Sequence, residues 1–96
     1  MIVSGGENVF PREVEDLLCD HGAIREAAVV GVADEEFGQR LQAFVVRRED
    51  DLDEQAVKDY VKANLARYKV PREVIFIDEL PRNATGKVVK RELHGA

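Results

Sequence analysis

The chain has 96 residues, 45% apolar and 34% charged, which fits one small folded domain and excludes a disordered or fibrous chain. A domain this small leaves much of its surface wet, so a large internal substrate cavity is not expected. The net charge of −5 conceals a division: residues 1–56 hold 14 acids and 5 bases, residues 57–96 hold 5 acids and 9 bases. An anionic ligand therefore belongs with the second half, although charge alone does not separate nucleic acid from a small phosphorylated molecule. No apolar run approaches the ~18 residues of a membrane span, and the opening residues lack the charged-apolar-small order of a leader. Cys19, the single cysteine, excludes an internal disulfide and a cysteine-based zinc cluster. A reducing, cytoplasmic setting is the expectation.

Met1-Ile2-Val3 reads as a short strand, stopped by Ser4-Gly5-Gly6-Glu7-Asn8. Adjacent glycines reach backbone conformations closed to other residues, so a tight turn or an exposed loop follows. A helix is predicted from Pro11, whose fixed φ and missing N–H suit a first helical position. Glu13, Glu15 and Asp16 put negative charge in or near its first turn, where the dipole favours it. Val14, Leu17, Leu18 and His21 recur at helical spacing, Val9 staples onto Val14, and Gly22 is the expected stop. Cys19 falls beside that stripe as half-buried packing, and His21 is expected to meet the last helical carbonyls.

Ala27 to Val32 reads as a buried strand, broken by the polar loop Asp34-Glu35-Glu36-Phe37-Gly38-Gln39. Leu41 to Val46 alternates and reads as a second strand, ended by Arg47 to Asp51. Asp51 with Glu54 three residues on predicts a capping box, after which Val57, Tyr60, Val61 and Leu65 form one apolar stripe. Pro71 precedes a strand at Val74 to Ile77, Pro81 breaks the segment, and Arg82 to Gly86 is a polar loop. Val88 to Leu93 is predicted as a short terminal helix. This order predicts an α+β fold with a small mixed sheet of about three strands, flanked by helices and preceded by a β segment. Whether the two glycine-bearing loops meet in space cannot be read from spacing.

Few residues carry chemistry by themselves. Asn83-Ala84-Thr85-Gly86-Lys87 is like the tail of a phosphate-binding P-loop, but Val88 follows the lysine and the first glycine is absent, so a P-loop NTPase is rejected. What remains is a lysine on a turn of small and polar residues. His21 and His94 lie far apart with no carboxylate spacing that indicates a metal, and nothing orients Ser4, His21 and Asp16 as a triad. Phe37 and Tyr68 fall next to loops, where core filling and ligand stacking are both open.

Two segments taken together carry a resemblance. Met1-Ile2-Val3-Ser4-Gly5-Gly6-Glu7-Asn8-Val9-Phe10-Pro11-Arg12-Glu13-Val14-Glu15 resembles the opening of the C-terminal domain of acyl-CoA synthetases. These belong to the adenylate-forming superfamily, with firefly luciferase and the peptide-synthetase adenylation domains. Leu80-Pro81-Arg82-Asn83-Ala84-Thr85-Gly86-Lys87-Val88-Val89-Lys90-Arg91-Glu92-Leu93 resembles that family's last core motif. Between them, Ala28-Val29-Val30-Gly31-Val32 with Gly38-Gln39, and Tyr68-Lys69-Val70-Pro71, stand in the family's order.

The resemblance implies that residues 1–96 are a single mobile lid domain, inactive alone, whose large ATP- and acyl-binding domain lies outside this chain. It implies a two-step ligase reaction: a carboxylate and ATP give an acyl-adenylate and pyrophosphate, then the thiol of coenzyme A displaces AMP. Lys87 would be the adenylation lysine, with Thr85 and Gly86 giving its loop the freedom to insert. Ser4, Gly5, Gly6 and Glu7 would line the coenzyme A channel, with Gly6 leaving room for pantetheine. Phe37, Tyr68, Lys69 and Arg72 are the implied coenzyme A contacts, and Val70 departs from relatives that carry a basic residue there. Ser4, where peptide synthetases usually have lysine, favours coenzyme A as acceptor. The implied partners are the large domain, an acid, ATP and coenzyme A, with Mg2+ in the large domain and none bound by these residues. The hinge residue would lie just before Met1. A stand-alone anion- or nucleic-acid-binding module is the competing reading, disfavoured by few aromatics and net acidity. The lid of a peptide-synthetase or luciferase-like enzyme is another.

Overall fold

The computed structural model describes residues 1–93. It is an α+β fold built on a mixed three-stranded sheet. Strands β3 (Ile24–Asp34) and β4 (Gly38–Arg47) form an antiparallel hairpin, and β5 (Glu73–Phe76) joins β4 in parallel. The parallel pair requires a crossover, supplied by helix α2 (Glu54–Asn64). A separate two-stranded hairpin, β1 (Ile2–Ser4) and β2 (Glu7–Val9), leads into helix α1 (Pro11–Cys19).

Side-chain alternation along the strands divides the core in two. Val29, Ala43, Val45 and Val74 face one way and pack with Ile2 and Val9 of the hairpin, Val14 and Leu18 of α1, and Val57 and Val61 of α2. Ala28, Phe44 and Val46 face the other way, where Leu80, Val88 and Leu93 cover them. The chain after β5 is thus the entire lid over the second face among the described residues. Its only regular element is a 3-10 turn, Lys90–Glu92, where a terminal helix was expected. The segment packs on the sheet through Leu80, Val88 and Leu93 and pairs with itself at Arg82 and Val88 instead of coiling.

Other expectations shift by a few residues. Helix α1 ends at Cys19 rather than Gly22, because Ala23 and Ile24 must leave the helix to enter the core. His21 serves that exit: its Nδ1 accepts from Ala23 N at 3.0 Å, and its ring meets Tyr60 edge-on at 4.8 Å. It does not bind the last carbonyls through its side chain. Cys19 is exposed, because the buried stripe runs through Val14 and Leu18. The cap of α2 is Asp53, accepting from Ala56 N at 2.8 Å, and not Asp51. Glu54 instead receives Val74 N at 2.8 Å, tying the helix start to β5.

Strand β3, at the edge of the sheet, runs well past the predicted Ala27 to Val32 because pairing with β4 carries it from Ile24 to Asp34. Glu15 Oε2 accepts from Val29 N at 2.7 Å and pairs with Lys90 Nζ at 2.8 Å, so one carboxylate occupies part of that open edge.

Gly31 explains how the N-terminal hairpin seats. A Cβ there would lie 2.9 Å from Ile2 Cγ1 and 3.0 Å from Gln39 Nε2. Gly31→Val is expected to push β1 off the sheet at a cost of roughly 1–3 kcal/mol, as overpacked cores do. Thermal melting checks this; an unchanged midpoint would contradict the close approach.

Candidate functional site

The Gly5-Gly6 turn connects Ser4 and Glu7 as a two-residue hairpin loop, with φ of 59° and 84°. Both values are left-handed, the geometry of a type I′ turn, which accounts for the glycine pair. Gly5 N donates to Phe37 O at 2.9 Å and Val3 N to Gln39 Oε1 at 2.9 Å. The turn is therefore fastened to the tip of the β3–β4 hairpin. Asp34 shapes that tip, its Oδ1 accepting from Glu36 N and Phe37 N at 2.9 Å each. The Phe37 N–H holds the Asp34 carboxyl below its usual range, with Glu36 N–H, Arg72 and Arg40 adding to this.

Beside the turn lies an open cleft of about 460 Å³. Ser4, Gly5 and Glu7 line it together with Phe37, Tyr68 and Arg72. Tyr68 is delivered by a 3-10 turn, Arg67–Lys69, that follows α2. The Arg72 guanidinium lies 5.2 Å from the centre of the Phe37 ring, a cation–π arrangement. Residues far apart in sequence thus converge: the hairpin turn, both loop aromatics and Arg72.

Lys69 lies behind the lining, its amine 5.7 Å from the centre of the Tyr68 ring. Its Nζ is held 2.6 Å from Glu13 Oε1 on α1, and that bond raises its pKa. It does not line the cleft. Two cations that sequence reasoning passed over do so, Arg67 and Arg40. Arg67 was foreshadowed by the basic second half, whereas Arg40 sits in the acidic half, where a charge count conceals it. Arg40 is already engaged, its Nε 2.6 Å from Glu73 Oε1 and its Nη1 3.7 Å from Asp34 Oδ2. Arg40, and then Gln42, pull the Glu73 carboxyl below its usual range. Among the described residues, Arg67 and Arg72 are the lining cations without an ion-pair partner. Val70 forms an apolar part of the lining, as does Leu41.

Gly6 completes the turn but is not among the residues that line the cleft. A Cβ there would meet nothing within 4 Å, so it borders open space.

Lys87 stands apart from this cleft. Its loop belongs to the segment packed on the opposite face of the sheet, through Leu80, Val88 and Leu93. Residues 82–87 are exposed, and among the described residues the Lys87 amine has no hydrogen-bond or ion-pair partner. The loop is nonetheless built. Arg82 and Val88 form a β-bridge, Asn83 N donates to Lys87 O at 2.9 Å, and Gly86 turns with φ 85°. Thr85 is fastened to Asn83 Oδ1 through both its N–H and its hydroxyl, so it orders the loop rather than loosening it. Asn83 and Arg82, which sequence reading did not single out, make most of these bonds. A loop Asn before a small-residue turn was the available signal. His94 lies outside the described residues.

The sequence profile of the AMP-binding enzyme C-terminal domain matches residues 13–87. The chain is 47% identical over 93 residues to a 2-succinylbenzoate–CoA ligase of Bacillus mycoides, covering 97% of this chain and 19% of that protein. It is 44% identical over 93 residues to the long-chain-fatty-acid–CoA ligase FadD13 of Mycobacterium tuberculosis, covering 97% of this chain and 18% of that one. Among solved structures, it resembles o-succinylbenzoate CoA synthetase from Bacillus subtilis in complex with the acyl-adenylate intermediate. That match has a TM-score of 0.90 and 40% identity over 99% of this chain and 19% of the other. The chain therefore spans about a fifth of the length of these relatives. The order of its elements, its two terminal motifs and these matches agree: the chain belongs to the family of AMP-binding enzyme C-terminal domains.

Proposed function

We propose that residues 1–96 form the lid domain of a larger AMP-forming ligase that joins a fatty or aryl carboxylic acid to coenzyme A, and that this domain is inactive alone. The observation that carries the reading is the placement of two unlike functional surfaces on opposite faces of one small sheet. An exposed cation on a built loop occupies one, and an aromatic, arginine-lined cleft beside a glycine turn occupies the other. A body so arranged can serve two successive reactions by turning over.

In the first reaction a carboxylate oxygen bonds the α-phosphorus of ATP and pyrophosphate departs. Two anions are brought together there, and the Lys87 amine offsets their repulsion and the charge that develops on the phosphoryl oxygens. In the second, the coenzyme A sulfur bonds the acyl carbon and AMP departs. Ser4, Gly5, Gly6 and Glu7 border the approach, and Phe37, Tyr68, Arg67 and Arg72 offer stacking surfaces and positive charge to a nucleotide with phosphates. Arg67, which lines the cleft, joins this role, and Lys69, held by Glu13, stands beside Tyr68. Mg2+ accompanying ATP is assigned to the large domain, and the whole enzyme to the cytoplasm. No helix of the described residues is long and apolar enough to cross a membrane. The nucleic-acid, peptide-synthetase and luciferase readings draw no support from the relatives found.

Gly6 tests the second half of this reading. The Cβ of Gly6→Trp has open space around it, though a side chain at φ 84° costs roughly 1–2 kcal/mol. In the full-length ligase this substitution is expected to slow thioester formation from supplied acyl-adenylate on the order of 10²-fold, as misplaced reactants do. Acyl-adenylate formation should stay near wild type. Equal damage to both steps contradicts the channel.

A further inference from the structure

A single side-chain oxygen organises the loop that carries Lys87. Asn83 Oδ1 accepts from Thr85 N at 3.0 Å, Thr85 Oγ1 at 2.7 Å and Lys87 N at 3.1 Å. The Asn83 backbone closes the same loop, its N–H donating to Lys87 O at 2.9 Å and its carbonyl accepting from Gly86 N at 3.0 Å. Arg82 adds a connection to the sheet: Nη1 donates to Gly86 O at 2.8 Å, while Nη2 pairs with Glu26 Oε1 on β3. Polar contacts thus run without a break from β3 to the peptide that bears Lys87.

Residues 83–87 are all exposed, so no apolar burial holds this shape. Its hydrogen bonds do, and they converge on Asn83. An amide at this place accepts three bonds without setting a negative charge beside the amine.

We propose that Asn83 is a positioning residue for Lys87, fixing the backbone from which the amine departs before the lid meets its partner domain. The proposal rests on Lys87 being the adenylation lysine. Asn83 itself touches no reacting atom. With the backbone already set, only the lysine side chain remains to be ordered when it reaches the reacting anions, which is the advantage of preorganisation.

The test uses the full-length ligase with Asn83→Ala, Asn83→Asp and Lys87→Ala side by side. Hydrogen exchange of the peptide covering residues 82–89 reports the loop, and the two half-reactions are timed separately. Asn83→Ala is expected to lose amide protection in that peptide and to slow adenylation about 10- to 10²-fold, the penalty of a misplaced catalytic group. Its melting point and its thioester step from supplied adenylate should match wild type. Asn83→Asp retains the acceptor oxygen, in charge-assisted form, and should recover the protection and bring adenylation back to within about five-fold. The proposal is overturned if Asn83→Ala adenylates within about two-fold of wild type, or if Asp restores no more amide protection to the loop than Ala. Lys87→Ala separates the two failures. Wild-type adenylation in that variant removes the underlying reading, whereas its loss beside a normal Asn83→Ala removes only the positioning role.

Discussion

Lys87→Ala in the full-length ligase is expected to slow acyl-adenylate formation by about 10²–10³-fold, the usual consequence of removing one preorganised electrostatic stabiliser. The stability of the lid should barely change. Lys87 is exposed and its amine has no partner among the described residues, and surface truncations of that kind stay within about 0.5 kcal/mol. Loss of activity therefore cannot be traced to unfolding. Thioester formation from supplied acyl-adenylate should change little, because the cleft proposed for coenzyme A lies across the sheet from this loop. Single-turnover release of pyrophosphate measures the first step, and consumption of adenylate on mixing with coenzyme A measures the second. A wild-type rate of pyrophosphate release would end the assignment.

Phe44→Ala should be the most damaging single change to the fold. Phe44 is 1% exposed at the centre of β4, the middle strand, and among the largest fully buried side chains. It faces Leu80 and Leu93, so the cavity left behind lies beneath the segment that presents Lys87. Truncating a buried phenylalanine costs about 3–5 kcal/mol. Against the roughly 5–15 kcal/mol of a typical domain, the variant would stand close to unfolding. Guanidinium unfolding of wild type and variant measures the difference. A loss below about 1 kcal/mol would mean that the second face is not packed by this segment.

The core elements were legible because strands read as apolar runs and helices as stripes of 3.6-residue period, whereas burial of the sheet on both faces was not foreseen, since β4 is buried at six successive residues. Val14 and Leu18, and Val57 and Val61, mark the inward stripes of α1 and α2 without help from distant contacts. What sequence reading shortened or missed lies where local preference was overruled. The charged ends of β3 do not read as strand, yet pairing with β4 extends it to Asp34. Asp51 and Asp53 are equally good caps on paper, and only the path of the chain selects Asp53. Gly22 is a natural helix stop, but Ile24 had to reach the core before it could act as one.

The candidate sites divide in the same way. Lys87 and the Ser4–Glu7 turn were singled out by the resemblance of the two terminal segments to a known family, because as local features they read only as a loop tip and a tight turn. Which cations face the cleft was a matter of three dimensions. Lys69 and Arg67 are two residues apart on one short turn; Glu13, distant in sequence, holds the Lys69 amine, while Arg67 lines the cleft.

The amino-acid order alone determined the α+β class, the two amphipathic helices and the identity of the terminal motifs, since each depends on periodicity or on neighbouring residues. Tertiary structure alone decided that the glycine turn and the lysine loop occupy opposite faces, that Asn83 organises the latter, and that Arg67 rather than Lys69 joins the cleft. Those outcomes depend on contacts between segments tens of residues apart, and charge and hydrogen bonding act through distance in space rather than along the chain.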